Sequence, residues 1–443
     1  MESATQDLTA WDMAARIRSL RAPRSRAALY MGLWMLVWAA YNTGPWIVLD
    51  PSFPKSTAQL INGIRAFSPM LAGWLALMLI LHRGGVSKLG LMGPLGLFSF
   101  YTIIGLVSSL LLSTNVFQAV YFALAFGSPL LILMLALSDN QPEQSMSQLL
   151  TLSWLVAVVM MVGIVLALPF IGGPSLLPTD GNLFHVKGGW GVQNVAFADM
   201  PGPRGTGLAR YAAVAGLASL GGISQGKLVA RLFWVAMVPA SIYVLLAAQG
   251  RTEILAFIIA AGVLLLVRHS SRYILLTWGL AGALLMARAG LFARFWEFGS
   301  RTGQFDPTLT GRTVTWQQGW ELLGSSPLVG LGFFADRIFL QMQHIHNGLL
   351  HALIQSGILG SAAFVGAFVV AWLMVLRLYL VRGSTAFFLH PEVPAVLLFF
   401  TLMNVTESTA QFSSNWLFLA PVMAWIQLAF WKSYAGKTAP PGA

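Results

Sequence analysis

Residues whose types could do chemistry are concentrated in one stretch of the sequence, 311–360. Its polar candidates are Arg312, Arg337, His344, His346 and Asn347. A neutral imidazole can take a proton from a hydroxyl group, and a planar guanidinium group can bind a phosphate through two parallel hydrogen bonds. An apolar run begins directly behind these residues, near Leu349. The pattern indicates a site at a membrane surface, in which the reactive residues come first and a membrane-spanning segment follows them.

The composition of the chain excludes a soluble domain. Hydrophobic residues make up 57% of the 443 residues and charged residues only 9%, which is typical of a polytopic helical membrane protein. The net charge of +11 comes from basic residues spread over the loops, so we expect membrane lipids and no nucleic acid as partners. The chain has no cysteine, which excludes disulfides, thiolate metal sites and cysteine nucleophiles.

The elements that must position the site are transmembrane helices, and the predicted fold class is all-α. Apolar segments of about 20 residues predict about twelve spans. They lie at 27–49, 66–82, 92–112, 116–138, 149–172, 207–223, 228–249, 252–268, 271–288, 349–380, 392–409 and 412–431. The chain is thereby divided into a basic amphipathic segment, the first nine spans, the last three spans and a cytoplasmic tail, at 1–26, 27–288, 349–431 and 432–443.

Two larger loops, 173–206 and 289–348, separate these spans. Most lysines and arginines lie in the segments that a cytoplasmic N-terminus would place inside, so both termini are predicted to be cytoplasmic and both larger loops to lie outside. The basic residues left outside are mostly arginines, against the usual gradient. An anionic ligand on the outer face would explain them, because the guanidinium fork suits phosphate.

Three arginines stand near the heads of outward-facing spans. Arg251 begins a span directly after Gly250, where the N-terminal end of a helix is itself electropositive. Arg204 and Arg210 lie where the first large loop enters its span. Glu253 falls in the first turn of the same span as Arg251 and is costly there unless paired. A structural partnership with an arginine and a role in catalysis are both open for Glu253.

An ordered set of motifs resembles the superfamily of O-antigen ligases and O-antigen polymerases. The motifs are Arg204-x-x-Gly207, Gly250-Arg251-Thr252, Gly311-Arg312 with Trp316, Pro327-x-x-Gly330-x-Gly332, and His346-Asn347-x-x-Leu350 with Gly357 and Gly360. They cover roughly residues 200–360, and the number of spans extends the resemblance to the whole chain. One departure is visible, because this chain has Arg210-Tyr211 where many members carry Pro-Asn.

The resemblance implies a glycosyltransferase of the bacterial inner membrane whose active site faces the periplasm. It would transfer a glycan from undecaprenyl diphosphate to a lipid A–core oligosaccharide in lipopolysaccharide biosynthesis, with inversion at the anomeric carbon. His346 would be the general base, and Arg204 and Arg251 would stabilise the diphosphate leaving group. Arg210, Arg312, Asn347 and His344 would bind substrate.

We expect neither a metal ion nor another cofactor. The outside acidic residues are scattered singly, so His344 and His346 form at most half of a metal site. His351 is predicted to be a packed histidine, and Arg337 a contact to lipid headgroups.

Two alternatives stay open at this stage. A polysaccharide polymerase of the same superfamily would share the motifs, and ligase is favoured because twelve spans in 443 residues fit it better. A secondary transporter is more remote, since it would need ionisable residues at the membrane midplane and an internal repeat.

Overall fold

The computed structural model describes residues 24–42, 55–167, 205–223, 228–248, 250–269, 312–340, 344–382, 387 and 389–438. Within these ranges the regular secondary structure is helical and contains no strand, so the predicted all-α class is confirmed. The helices are α1 Arg24–Asn42, α2 Lys55–His82, α3 Lys88–Leu91, α4 Pro94–Leu112, α5 Val116–Leu137, α6 Pro142–Ala167, α7 Gly205–Gly222, α8 Leu228–Ala247, α9 Arg251–His269, α10 Arg312–Leu323, α11 Ala335–Phe339, α12 Gly348–Arg382, α13 Val393–Met403 and α14 Ser414–Thr438.

Five of the described helices contain segments long and apolar enough to cross a membrane. They are Pro94–Leu112, Val116–Leu137, Pro142–Gly163, Leu228–Leu245 and Gly348–Val381. Shorter apolar helices lie at Ala28–Ala40, Ala66–His82 and Val393–Met403. The number twelve stays a prediction, because the predicted span 271–288 lies outside the described residues, as do the loop 173–204 and most of 289–348.

Local sequence signals set several of the helix starts. Pro94 stands at the first position of α4, where the missing N–H of proline costs no hydrogen bond. Asn115 caps α5, since its side-chain oxygen accepts a hydrogen bond from the backbone N–H of Gln118 at 3.2 Å. Helix α13 is shorter than the predicted span 392–409, because the chain leaves the helix at the polar residue Asn404.

An aromatic layer joins α4, α5 and α14 in the core. Trp416 stacks on Phe126 with ring centroids 4.2 Å apart, and Phe98 lies edge-on to Trp416 at 4.7 Å. Phe333, from the loop between α10 and α11, packs against Tyr101 and Phe126, each at 5.6 Å. The loop that leads toward the predicted site is therefore anchored in the core.

Helix α12 is interrupted at Gly357, whose φ of 61° and ψ of −165° are not helical. The predicted span 349–380 therefore consists of two helical segments. A segment that carries His351 precedes the break, and the long apolar segment follows it. A backbone conformation with positive φ is available to glycine at little cost, which explains the residue type at this position.

The backbone of loop 327–332 occupies the break in α12. Leu331 N donates to Ile354 O at 2.7 Å, and Gly332 N donates to Gln355 O at 3.0 Å. On the other side of the break, Ile358 N donates to Pro327 O at 2.8 Å. The Pro-x-x-Gly-x-Gly motif therefore binds α12 through hydrogen bonds between the two backbones. A Cβ on Gly330 would stand 2.5 Å from the backbone nitrogen of Gly357, too close for any side chain.

Candidate active site

The site is centred on Glu407, in the loop that follows α13. Its carboxylate is 5% exposed and lies within 3.2 Å of two arginine side chains and one histidine side chain. Arg312 Nη2 lies 3.1 Å from Oε1, while Arg210 Nη2 lies 3.2 Å and His346 Nδ1 3.1 Å from Oε2. Three predicted site residues from α7, from α10 and from the segment before α12 therefore meet on one carboxylate.

The loop carrying Glu407 is tied to the start of α12. Gly348 N donates to Asn404 O at 2.8 Å, and the Asn347 side-chain amide donates to Val405 O at 3.1 Å. The Asn404 side-chain oxygen in turn accepts from the backbone N–H of Thr409 at 3.0 Å. Asn347 also caps α12, because its oxygen accepts from Leu350 N at 2.9 Å. The structure thus gives Asn347 a role in holding the loop.

Arg210 connects this carboxylate to the head of α9. Its Nε lies 3.4 Å from Glu253 Oε1, and its Nη1 lies 3.4 Å from Asn415 Oδ1. Glu253 is therefore the partner of an arginine, the structural alternative left open by the sequence. Arg251 begins α9 two residues before Glu253, at the same helix end. Arg204 lies outside the described residues.

The charges around Glu407 keep it ionised. Burial would raise the pKa of its carboxyl, but the Arg210 guanidinium and the hydrogen bond from His346 hold this pKa well below its usual range. A carboxylate that accepts the Nδ1–H of an imidazole leaves the Nε2 lone pair free to take a proton, and it stabilises the imidazolium that results. The His346 side chain is 24% exposed, so a substrate hydroxyl can reach it.

Behind His346 lies a second histidine that is held by Asp336. His344 Nδ1 lies 2.9 Å from Asp336 Oδ2, which also accepts from Ile345 N at 3.2 Å. The ring of His344 stands edge-on to that of His346, with centroids 4.7 Å apart. Burial lowers the pKa of His344 to about 4 even though Asp336 acts in the opposite direction. His344 is therefore neutral at physiological pH, and its contact with Asp336 holds the segment before α12 in place.

Asp336 remains ionised within this buried environment. Burial would raise the pKa of its carboxyl, but the charge of His351 and the hydrogen bond with His344 hold it well below its usual value. Arg337 follows Asp336 in α11, and its contact with lipid headgroups stays a prediction.

His351 is fully buried, as the sequence predicted for a packed histidine. Its Nε2 lies 3.4 Å from Asp336 Oδ1 and 2.6 Å from the Gln355 amide, which in turn reaches the Tyr101 hydroxyl. The hydroxyl has one proton and two oxygen neighbours, at 2.5 Å on Gln355 and at 2.7 Å on the carbonyl of Ala410. The Tyr101 hydroxyl therefore shares its proton between Gln355 Oε1 and the Ala410 carbonyl, and the Gln355 NH₂ donates to His351 Nε2.

Among the residues that the structure describes, two groups of side chains have the ligand types and spacing of a metal site. They are Asp336 with His344 and His351, and Glu407 with His344 and His346, each with donor atoms within 4.8 Å of one another. The fold thus supplies carboxylates that the sequence spacing did not reveal. The second group is poorly suited to a divalent cation, because Arg210 and Arg312 already neutralise Glu407. In the first, the Gln355 amide already engages His351 Nε2.

Sequence reasoning missed Glu407, Asp336 and Gln355. Glu407 had a usable signal, because it fell within the predicted span 392–409, where an ionisable residue is costly and marks a functional site. Gln355 had a weaker signal, because it stands four residues after His351 on the same helical face. Asp336 had no such signal, since it reaches His344 and His351 from a separate short helix.

These helices and this cluster define a helical membrane protein with an arginine, histidine and carboxylate site at the heads of α7, α10 and α12. Residues 235–365 match the family model described as O-Antigen ligase. The resemblance drawn from the sequence motifs is thereby confirmed. The matched segment contains Arg251, Arg312, His344, His346 and Asn347, whereas Arg210 and Glu407 lie outside it.

The chain is also similar to the exopolysaccharide production protein ExoQ of Rhizobium meliloti (strain 1021). The two sequences are 30% identical over 145 residues, which cover 27% of this chain and 32% of that protein. The matched part therefore spans about a third of the relative's length. The chain thus matches a model of O-antigen ligases over residues 235–365 and is similar to a protein of exopolysaccharide production over part of its length.

Proposed function

We propose that this protein is an O-antigen ligase that transfers a glycan from undecaprenyl diphosphate to a lipid A–core oligosaccharide. The observation that carries the proposal is the convergence of Arg210, Arg312 and His346 on Glu407. A base beside fixed cations is what transfer from a diphosphate to a hydroxyl group requires, because one must remove a proton while the others stabilise the leaving oxygens.

In the proposed reaction, His346 acts as the general base. Its Nε2 takes the proton of the acceptor hydroxyl as that oxygen forms a bond to the anomeric carbon of the donor. The bond from this carbon to the diphosphate oxygen breaks on the opposite face, so the configuration inverts. Glu407 accepts the Nδ1–H throughout and stabilises the imidazolium. No metal ion takes part in this scheme.

The arginines would hold the leaving diphosphate. Arg312 and Arg210 stand beside the base, and Arg251 lies at the electropositive head of α9. Arg204 belongs to the same set through the sequence motif alone. The guanidinium fork can bind two phosphate oxygens at once, which an ammonium group cannot do.

The proposed setting is the bacterial inner membrane, with both termini in the cytoplasm, about twelve spans and the site at the periplasmic face. The long apolar segment of α12 supports a position at the membrane surface, because it begins directly behind the site. The polyprenyl tail of the donor would then stay in the lipid while its diphosphate reaches the arginines.

A strain that lacks the protein tests the proposal. Loss of a ligase should leave polymerised glycan on the lipid carrier and a bare lipopolysaccharide core, and the full chain should restore normal lipopolysaccharide. A strain complemented with His346→Ala should keep the defect. Normal lipopolysaccharide in the deletion strain would contradict the proposal.

A polymerase is the second candidate, and the similarity to a protein of exopolysaccharide production favours it. The same strain separates the two activities. Loss of a polymerase of O-antigen should leave cores that each bear a single repeat unit, and loss of an exopolysaccharide polymerase should remove the secreted polymer while the lipopolysaccharide is unchanged.

A further inference from the structure

Glu407 has more contacts than a base-orienting carboxylate needs. One hydrogen bond from His346 would be enough to fix the imidazole, yet Arg210 and Arg312 also bind the same carboxylate. Arg312 Nη1 in addition donates to the neighbouring carbonyl of Thr406 at 2.9 Å. The two arginines proposed to bind the diphosphate are thus held on an internal anion.

The carboxylate is buried and held by its loop, and the arginines are more exposed. Glu407 is 5% exposed, in a loop tied to α12 through Gly348 and Asn404 and to Asn347 through Val405. The side chains of Arg312 and Arg210 are 22% and 13% exposed. An incoming diphosphate can therefore meet the guanidinium groups from the open side, while Glu407 stays behind them.

The charge of the diphosphate changes during the reaction. The donor is a diphosphate diester, and the leaving group is a monoester whose terminal phosphate has gained a free oxygen. The second ionisation of a terminal phosphate has a pKa near about 6, so the product carries up to roughly one more negative charge than the donor. Fixed arginines alone would therefore hold the product more tightly than the substrate, and its release would limit turnover.

We propose that Glu407 is a counter-anion that competes with the diphosphate for Arg210 and Arg312 and so promotes release of the product. The inference rests on the proposed function, since it assigns the ligand of the arginines to the diphosphate of the lipid carrier. It gives Glu407 a second role besides orienting His346. Removal of the charge should tighten binding of the diphosphate if Glu407 is a counter-anion. It should lower turnover and leave this binding unchanged if Glu407 only orients His346.

The test is direct binding of farnesyl diphosphate, a short polyprenyl diphosphate, to the purified full chain, measured by calorimetry. Glu407→Gln keeps the shape and removes the charge, and we expect it to bind farnesyl diphosphate about tenfold more tightly while glycan transfer falls. Glu407→Asp keeps the charge on a shorter side chain, so its affinity should lie between those of the wild type and Glu407→Gln. This variant keeps the test available if the glutamine variant does not fold.

The matched control is Glu321→Gln, on the exposed face of α10, which should leave the affinity unchanged. An equal or weaker affinity in Glu407→Gln, or in Glu407→Asp where only that variant folds, overturns the inference. Arg312→Gln in the same experiment examines the proposed function separately and should weaken binding about tenfold. If Arg312→Gln binds as the wild type does, the assignment of the diphosphate site is wrong. If Arg312→Gln binds more weakly and Glu407→Gln does not bind more tightly, only the counter-anion role fails.

Discussion

Among single residues, the pair formed by His346 and Glu407 has the largest consequence for the proposed chemistry. A histidine near the head of a helix is disfavoured in its protonated form, whereas a carboxylate on its Nδ1 favours that form. The hydrogen bond of 3.1 Å to Glu407 therefore orients the ring of His346 for the proposed proton transfer. The sequence suggested the histidine, and the structure adds the residue that orients it.

Replacement of His346 by alanine should reduce turnover and leave donor binding almost unchanged, because a neutral imidazole adds little to diphosphate affinity. We expect His346→Ala to lower the rate of glycan transfer by about 10²- to 10⁴-fold. The measurements are the transfer rate and the affinity for farnesyl diphosphate in the purified protein. His82→Ala, at an exposed helix end, is the control and should transfer at the normal rate. If His346→Ala kept most of its activity, His346 would not be the general base.

His344 should make the stability of the protein depend on pH in a defined window. Its pKa is lowered from 6.5 to about 4 in the folded protein, so the unfolded chain binds more protons between these values. Stability is therefore full above pH 6.5 and falls as the pH decreases toward 4, by up to about 3 kcal/mol. Thermal unfolding between pH 4.5 and 7 should show a flatter dependence in His344→Gln than in the wild type. The control His82→Gln should keep the wild-type slope, and equal slopes in all three proteins would contradict the assignment.

Among the structural elements, the broken helix α12 positions the site. Its first segment presents His346 and Asn347 at its head and buries His351, while loop 327–332 supplies hydrogen bonds across the break. The small apolar cluster of Leu331, Ala335, Leu340, Ile345, Leu350 and Ile354 packs between loop and helix. Docking of the loop therefore fixes both the backbone before α12 and the ring of His344.

A side chain at Gly357 should undo this docking. Alanine strains a backbone with φ of +61°, and its Cβ would collide with the backbone of Leu328 and Val329. We expect Gly357→Ala to destabilise the fold by about 2–4 kcal/mol, measured by thermal unfolding in detergent. Gly366→Ala is the matched control in the same helix, because the nearest atom to its Cβ would be 3.6 Å away. Equal melting temperatures for the two variants would contradict the described break.

Hydrophobic length predicted the helices better than it predicted their interruptions. The predicted spans 92–112 and 116–138 agree with α4 and α5 to within two residues, because twenty apolar residues can satisfy their backbone in lipid only as a helix. The break at Gly357 could not be predicted, since the residues that fill it come from a loop about thirty positions earlier. For the same reason Asp336 and Glu407 were not recognised as partners of the histidines.

For the whole molecule, the orientation in the membrane decides on which side the site operates. The distribution of basic residues predicts a cytoplasmic N-terminus and a periplasmic loop before α12. A reporter that is active only outside the cytoplasm should be active when fused after Gly303 and inactive when fused after Ser384. The opposite pair of results would reverse the orientation and place the site in the cytoplasm.

The interruption of α12 has a consequence for the order in which the protein is assembled. A segment that enters a bilayer must satisfy its own backbone, so α12 is expected to insert as one continuous helix and to open at Gly357 only when loop 327–332 arrives. Integration into the membrane and completion of the site are then separate steps of biogenesis. We therefore expect Gly357→Ala to reach the membrane in normal amount and with normal reporter activity at Gly303, yet to transfer no glycan. Degradation of the variant before integration would show instead that integration depends on formation of the break at Gly357.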